Sequence, residues 1–395
     1  MVEPSRRWRN LGIAAGAVTA VLFAVFDLYQ WGAAYASDRF HNDFTFYYVA
    51  AKIGLAHGWH SIYDLQLQQA GLNALGAGIT IAQLARYISP PPLAWIAVPL
   101  TPLPYEVAYW TWSLLLVCAL VLTWRLAAPG EGRARPIHLA AAVGWLPVIY
   151  GLQLGQPGLF VAAGVAGSYA LLRAGKPVWA GVALGTVALK PQLAFLVPIA
   201  FLAAGQRRAF VASGLTLGGL AGLSAIALGA DGIRAYLDRL SFASSVAVNR
   251  ELTLGYRPAE VVIALLTLVV VYRLRRKGPE WIYAAALVGG MLATPYAHLD
   301  DFVMLGLAGW LVLRTEAPAW TWIYVLAAAL VIEGEPIWGA IPVLIAELGA
   351  LGLVSWMAFR AGPRPPQSDE PLAVPPPTQG LPSRPGARPS PPLRG

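Results

Sequence analysis

Apolar runs of about twenty residues recur through most of the chain, each closed by a short polar stretch. At 1.5 Å per helical residue such a run spans the hydrocarbon core of a bilayer. The pattern predicts transmembrane helices at about 11–34, 104–126, 137–152, 157–173, 177–190, 191–205, 208–230, 258–273, 280–294, 302–314, 319–333 and 337–359, twelve crossings in all. The short polar stretches alternate in character. Arg6, Arg7 and Arg9, then Arg125, Arg133 and Arg135, Arg173 and Lys176, Arg207 and Arg208, and Arg273, Arg275, Arg276 and Lys277 fall in every second loop, and Arg314, Arg360 and Arg364 continue the series. Basic residues of short loops mark the cytoplasmic side, so both termini are expected inside. The opposite face collects His41, His57, His60 and His298 together with most of the acids.

The longest outer segment, about 35–91, carries a helical rhythm of its own. Phe44, Tyr47, Tyr48, Ala51 and Leu55 recur at i, i+3, i+4, i+7 and i+11, an apolar stripe that predicts an amphipathic helix in the membrane interface. Asn42 or Asp43 is its expected N-cap. A second outer segment, 231–257, places Tyr236, Leu237, Leu240 and Phe242 among charges, and the two helices together would cover an outward cavity. The first apolar run is too long for a signal peptide and lacks a small-residue cleavage site, so it is expected to stay as an anchor. Beyond 360 the chain turns Pro-rich and apolar-poor, as in a disordered cytoplasmic tail. The expected organisation is a cytoplasmic N-terminus at 1–10, a transmembrane domain at 11–359 and the tail at 360–395, in an all-α polytopic fold with interfacial helices in the outer loops.

Composition removes other classes. Hydrophobic residues make up 57% and charged residues 12% of the 395, against about 45–50% and 25% in soluble domains, and mean hydropathy is +0.58. The net charge of +8 follows the loop asymmetry, so it sets orientation and does not argue for nucleic acid. A single cysteine, Cys118 inside an apolar run, excludes an internal disulfide and a thiolate metal cluster. No Gly-rich phosphate cradle follows a strand, which argues against direct use of a nucleotide sugar.

Five stretches carry a family likeness: Asp43-Phe44 with Tyr47-Tyr48, Ala50-Ala51, Gly58 and Tyr63-Asp64; Pro90-Pro91-Pro92 leading to Pro99-Leu100; Gly155-Gln156; Lys190-Pro191; and Thr294-Pro295-Tyr296-Ala297-His298 with Asp300 behind it. In this order, over about 43–301, they resemble the polyprenol-phosphate-dependent glycosyltransferases of family 87, within the membrane-embedded GT-C superfamily. The resemblance implies a GT-C-type helical bundle in the bacterial plasma membrane with its active site on the periplasmic or extracellular side. It implies transfer of a sugar, mannose or arabinofuranose, from a polyprenyl-phosphate donor to a glycolipid, glycan or protein acceptor. No cofactor and no obligatory metal are expected, because Asp38 and Asp43 are spaced too widely for the two-acid motif of metal-using subgroups.

The same resemblance implies roles for individual residues. A carboxylate in the first outer loop serves such enzymes as general base, and Asp43 fits that role. A departing lipid phosphate calls for cations or donors, for which Lys190 and His298 are the candidates and Arg257 and Arg250 the reserves. Each has a plain alternative, a snorkelling lysine, a hydrated histidine or a solvated arginine. Gln156, Gln153 and Tyr47 could bond sugar or acceptor hydroxyls. Asp300 and Asp301 are neighbours, diverge by about 100° on a helix and so cannot share one target; Asp300 is expected at the acceptor side as partner of His298. Two rival readings remain open. A secondary transporter would place ionisable groups at the midplane and show two similar halves, and a lipid flippase would not need Asp43 for chemistry.

Overall fold

A computed structural model describes residues 6–81, 86–130, 132, 135–246 and 250–360. The described residues up to Phe359 form one compact unit. The expected Pro-rich tail and the first five residues lie outside the described residues. Every regular element among the described residues is helical.

The chain opens with a long helix, α1 (Arg6–Ser37). The segment that follows holds α2 (Asp43–His57), α3 (Leu65–Ala74) and α4 (Pro91–Ala97), and leads to α5 (Tyr105–Ala127). A pair bent by 56° follows, α6 (Arg135–Val143) and α7 (Leu146–Leu154). Next come α8 (Gly158–Arg173), α9 (Pro177–Ala183) and α10 (Leu196–Ala203), then the longest helix, α11 (Arg207–Ser245). The remainder is α12 (Arg257–Leu274), α13 (Pro279–Leu292), α14 (Val303–Leu313), α15 (Trp320–Glu333), α16 (Glu335–Trp338) and α17 (Ala340–Arg360).

Four helices are long and apolar enough to cross a bilayer: Ile13–Ser37, Tyr105–Ala127, Arg207–Ser245 and Ala340–Arg360. The bent pair makes a fifth if it counts as one span. The expected twelve crossings are not met on that criterion, and prolines explain much of the difference. The segment 177–190 is α9 followed by a 3-10 turn, Leu184–Leu189, and 191–205 is the 3-10 turn Pro191–Leu193 followed by the eight-residue α10. Pro191 lacks an N–H and disfavours the helical region for the residue before it. Lys190 accordingly leaves the helix at φ −150°, ψ 79°.

The core surrounds α13, in which every residue from Trp281 to Leu292 is buried. The outer helices behave oppositely. Leu22 on α1, Ile226 on α11, Ile323 on α15 and Ile341 on α17 are 63%, 80%, 71% and 72% exposed. Isolated exposed leucines are ordinary in water, but helices apolar around most of their exposed surface require lipid as solvent. This is the arrangement of a membrane protein.

Two interfacial expectations come out differently. In α2, ten of fifteen residues are buried, so it is a core helix. The stripe of Phe44, Tyr47 and Tyr48 is flanked by Phe46, Val49 and Ile53, also buried, and an apolar surface all round favours the interior. The segment at 231–245 does form a helix. It continues α11 past a break at Gly229 (φ 62°, ψ −175°), a conformation essentially restricted to glycine. After this break it packs on the segment between α1 and α5, where Tyr236 stacks on Tyr63 at 5.0 Å and Tyr63 on Tyr87 at 5.6 Å.

Candidate active site

Asp43 is the first residue of α2, and its carboxylate is free of capping duty. Asn42 is the cap: its Oδ1 accepts from Thr45 N at 3.1 Å, and Tyr105 Oη ties Asn42 to Thr45. Phe44, fully buried against Trp112, fixes the helix start from the opposite side. The half-buried Asp43 side chain therefore opens on a cavity of about 670 Å³. Tyr47, Tyr87, Tyr236, Phe242 and Tyr296 wall this cavity, with Arg86, Arg257, Gln156, Lys190 and His298 among the polar lining. The outer part of α11 forms one wall, as the expected cover would.

A turn brings the second group in. α7 ends at Gly155, in the left-handed region at φ 70°, where a side chain is strained. A Cβ there would also lie 2.8 Å from that of Phe44. The turn aims Gln156 at Asp43: its Nε2 donates to Asp43 Oδ2, and its Oε1 accepts from Lys190 Nζ at 3.0 Å and Tyr47 Oη at 3.4 Å.

Lys190, 9% exposed, enters from the break before Pro191. Its ammonium meets Asp300 Oδ2 at 2.9 Å and also Asp301 Oδ1. Both acids sit in the 3-10 turn Leu299–Phe302 and are buried, at 1% and 0% exposure. The expectation that only one of them could face a given target is therefore corrected. Each residue of a 3-10 turn advances by about 120°, yet Asp301 folds back over its own turn, where its Oδ2 accepts from His298 N at 3.0 Å. The spacing of a histidine and an aspartate three residues on is the capping signal that could have revealed this.

The electrostatics follow from burial and this one cation. Burial, with Asp300 nearby, pushes the Asp43 carboxyl up to about 6, against the pull of Lys190 and Gln156. Burial opposes ionisation of Asp300, but Lys190 holds it below the ordinary carboxylate range. Asp301 is pushed up to about 7 by burial, which together with the neighbouring Asp300 charge outweighs the pull of Lys190. Lys190 itself is held well above its ordinary value, because the two carboxylates outweigh its burial. Burial lowers His298, favouring the neutral imidazole, which stacks on Tyr296 at 4.9 Å between ring centres.

The other expected residues divide. Tyr47, His298 and Arg257 line the cavity, Arg257 with Glu260 at 3.4 Å. Asp300 does not: it is enclosed and paired to Lys190, which corrects its expected place on the acceptor side. Gln153 lies outside the lining, its carbonyl bonded by Tyr109 Oη at 3.0 Å. Arg250 is exposed, donates to Gly255 O at 2.8 Å and is also outside. Lys190 changes character as well. An ammonium has three N–H groups, and here it donates to Gln156 Oε1 and Asp300 Oδ2 and stands in ion-pair contact with Asp301 Oδ1, so protein acceptors engage it ahead of any phosphate. The sequence reading missed Asp301 as a partner of Lys190, and it missed Tyr87 and Arg86, whose loop carried no local signal. Asp300 and Asp301 are also the carboxylate pair a divalent ion would need, and Lys190 stands between them. Among the described residues no three acids, histidines or cysteines gather as metal ligands.

No curated protein and no solved structure gives a significant match to the chain. The model of glycosyltransferase family 87 does match, over residues 87–299, more than half of the 395. That stretch contains Gln156, Lys190 and His298, and its ends fall short of Asp43 on one side and of Asp300 and Asp301 on the other. A membrane-type helical fold, a roomy cavity lined with aromatic residues and this match agree, and the chain belongs to glycosyltransferase family 87.

Proposed function

We propose that the protein moves a sugar, mannose in the first instance, from a polyprenyl-phosphate donor to an acceptor hydroxyl, with Asp43 as general base and inversion at the anomeric carbon. The observation that carries this reading is the half-buried Asp43 carboxylate opening on the cavity, held near 6 and so ionised at neutral pH yet still basic. Asp43 takes the acceptor proton as the hydroxyl oxygen bonds to the anomeric carbon. The bond from that carbon to the phosphate oxygen breaks, and its electron pair leaves with the phosphate. Attack from the opposite face turns a β-linked donor into an α-linked product.

The lipid phosphate rests against Arg257 and His298 of the lining, with Arg86 a further cation of the same cavity. Tyr47, Tyr87 and Tyr296 of the lining supply the aromatic surface against which the sugar packs. The acceptor is a glycolipid, glycan or protein reached from the outer side. The basic loops favour both termini in the cytoplasm of a bacterial cell, with the cavity on the outer side of the plasma membrane. The shorter helices α8, α9, α10 and α13 to α15 then add crossings within a GT-C-type bundle of about twelve.

The test is transfer from radiolabelled polyprenyl-phosphate mannose to a membrane lipid extract by the reconstituted full chain, wild type against Asp43→Asn. Loss of general-base assistance is worth about 10²–10⁴ in rate. A drop of that size with unchanged thermal stability supports the reading, and equal transfer by both proteins overturns it.

A further inference from the structure

Four side chains from three distant parts of the sequence form one line of polar contacts to Asp43. Asp300 and Asp301 hold Lys190, Lys190 holds the carbonyl of Gln156, and the Gln156 amide nitrogen holds Asp43 Oδ2. The order matters, because a glutamine side chain has one donating and one accepting end. An ammonium can only donate, so the amide end that faces Lys190 must be the oxygen, and Tyr47 Oη meets the same oxygen. The NH₂ end is then turned to Asp43 and can only donate. This line satisfies one carboxylate oxygen and leaves Oδ1 for another donor.

We propose that Lys190 and Gln156 are positioning residues that orient Asp43 and keep its carboxylate ionised, with Lys190 acting through Gln156 and not as a phosphate ligand. The inference rests on the reading of Asp43 as general base. The network is preorganised in the free protein, as effective catalysis requires of groups around a reacting atom. Lys190 is fixed by a proline break and two carboxylates, and Gln156 by a glycine turn, so neither can follow a moving ligand. The charged or titratable groups that act on Asp43 are Asp300, Lys190, Tyr47, Tyr150 and Tyr296. Only Lys190 among them is cationic, and among the described residues Gln156 adds the one direct hydrogen bond from a side chain.

The experiment compares wild type, Gln156→Leu and Lys190→Met as full chains in proteoliposomes, with thermal stability measured for each. The readout independent of substrate is the pH at which Asp43 becomes half protonated, followed by carbodiimide labelling and peptide mass spectrometry. Each substitution should raise that midpoint by about one pH unit, a tenfold change in proton affinity. The acid limb of transfer from polyprenyl-phosphate mannose should move up with it. Gln156→Leu keeps the lysine and its two acids intact, so it tests the idea even if Lys190→Met does not fold. A folded Gln156→Leu protein with an unmoved labelling midpoint overturns the inference and leaves the base reading standing. Transfer that survives Asp43→Asn removes the base reading instead, while the labelling result still reports whether the line controls Asp43.

Discussion

At the scale of single residues the site is a problem of three acids and one lysine in a buried space. Transfer should follow the ionisation of Asp43. Below about 6, kcat/KM is expected to fall about tenfold per pH unit, and a profile flat from pH 5 to 8 would contradict this. Asp300 and Asp301 differ in sign. Asp301 is raised, so the folded protein keeps a proton that the unfolded chain has already released, and stability falls as pH rises from the ordinary carboxylate range to about 7. Asp300 is lowered, so its contribution is present above that range and is lost as pH falls. Asp301→Asn, which imitates the protonated acid, should flatten the dependence of Tm on pH between about 5 and 8. Asp300→Asn should lower Tm at neutral pH by removing the ionised partner of Lys190, because an uncompensated buried charge is costly. Differential scanning fluorimetry of both variants across pH checks the asymmetry.

At the scale of elements, breaks place the chemistry. The end of α7 at Gly155 and the interruption at Lys190-Pro191 each aim a side chain that a continuous helix would have pointed elsewhere. Gly155→Ala combines a strained backbone with a contact against Phe44, and a loss of about 1–3 kcal/mol is expected in denaturant unfolding, with reduced transfer. In α17 the opposite is expected. Glu347 is 2% exposed and neither carboxyl oxygen has a hydrogen-bond partner, so Glu347→Leu should raise Tm without loss of transfer. The helix rhythm at 43–57 was legible, as were Asn42 among the caps and the outer helix after 230. The burial of α2 was not, because an apolar stripe tells that a face is covered without telling whether lipid or protein covers it.

At the scale of the whole molecule the membrane sets the terms. The positive loops predict that His60→Cys is labelled by an impermeant thiol reagent from outside intact cells and Arg276→Cys only after lysis, in a Cys118→Ala background. The reverse pattern would put the cavity on the cytoplasmic side. The family likeness of five short stretches implied Asp43, Gln156, Lys190 and His298 as members of one site, and composition and periodicity alone determined a helical membrane protein. They could do so because the need to bury an apolar surface and to satisfy backbone polar groups in lipid is written locally, every few residues. Tertiary structure decided that Asp300 and Asp301 share Lys190, that this lysine is engaged by protein acceptors, and that Arg250 and Gln153 stand apart from the cavity. Those outcomes depend on which buried groups meet across more than a hundred residues of chain, and hydrogen-bond capacity is settled only where donors and acceptors come within reach.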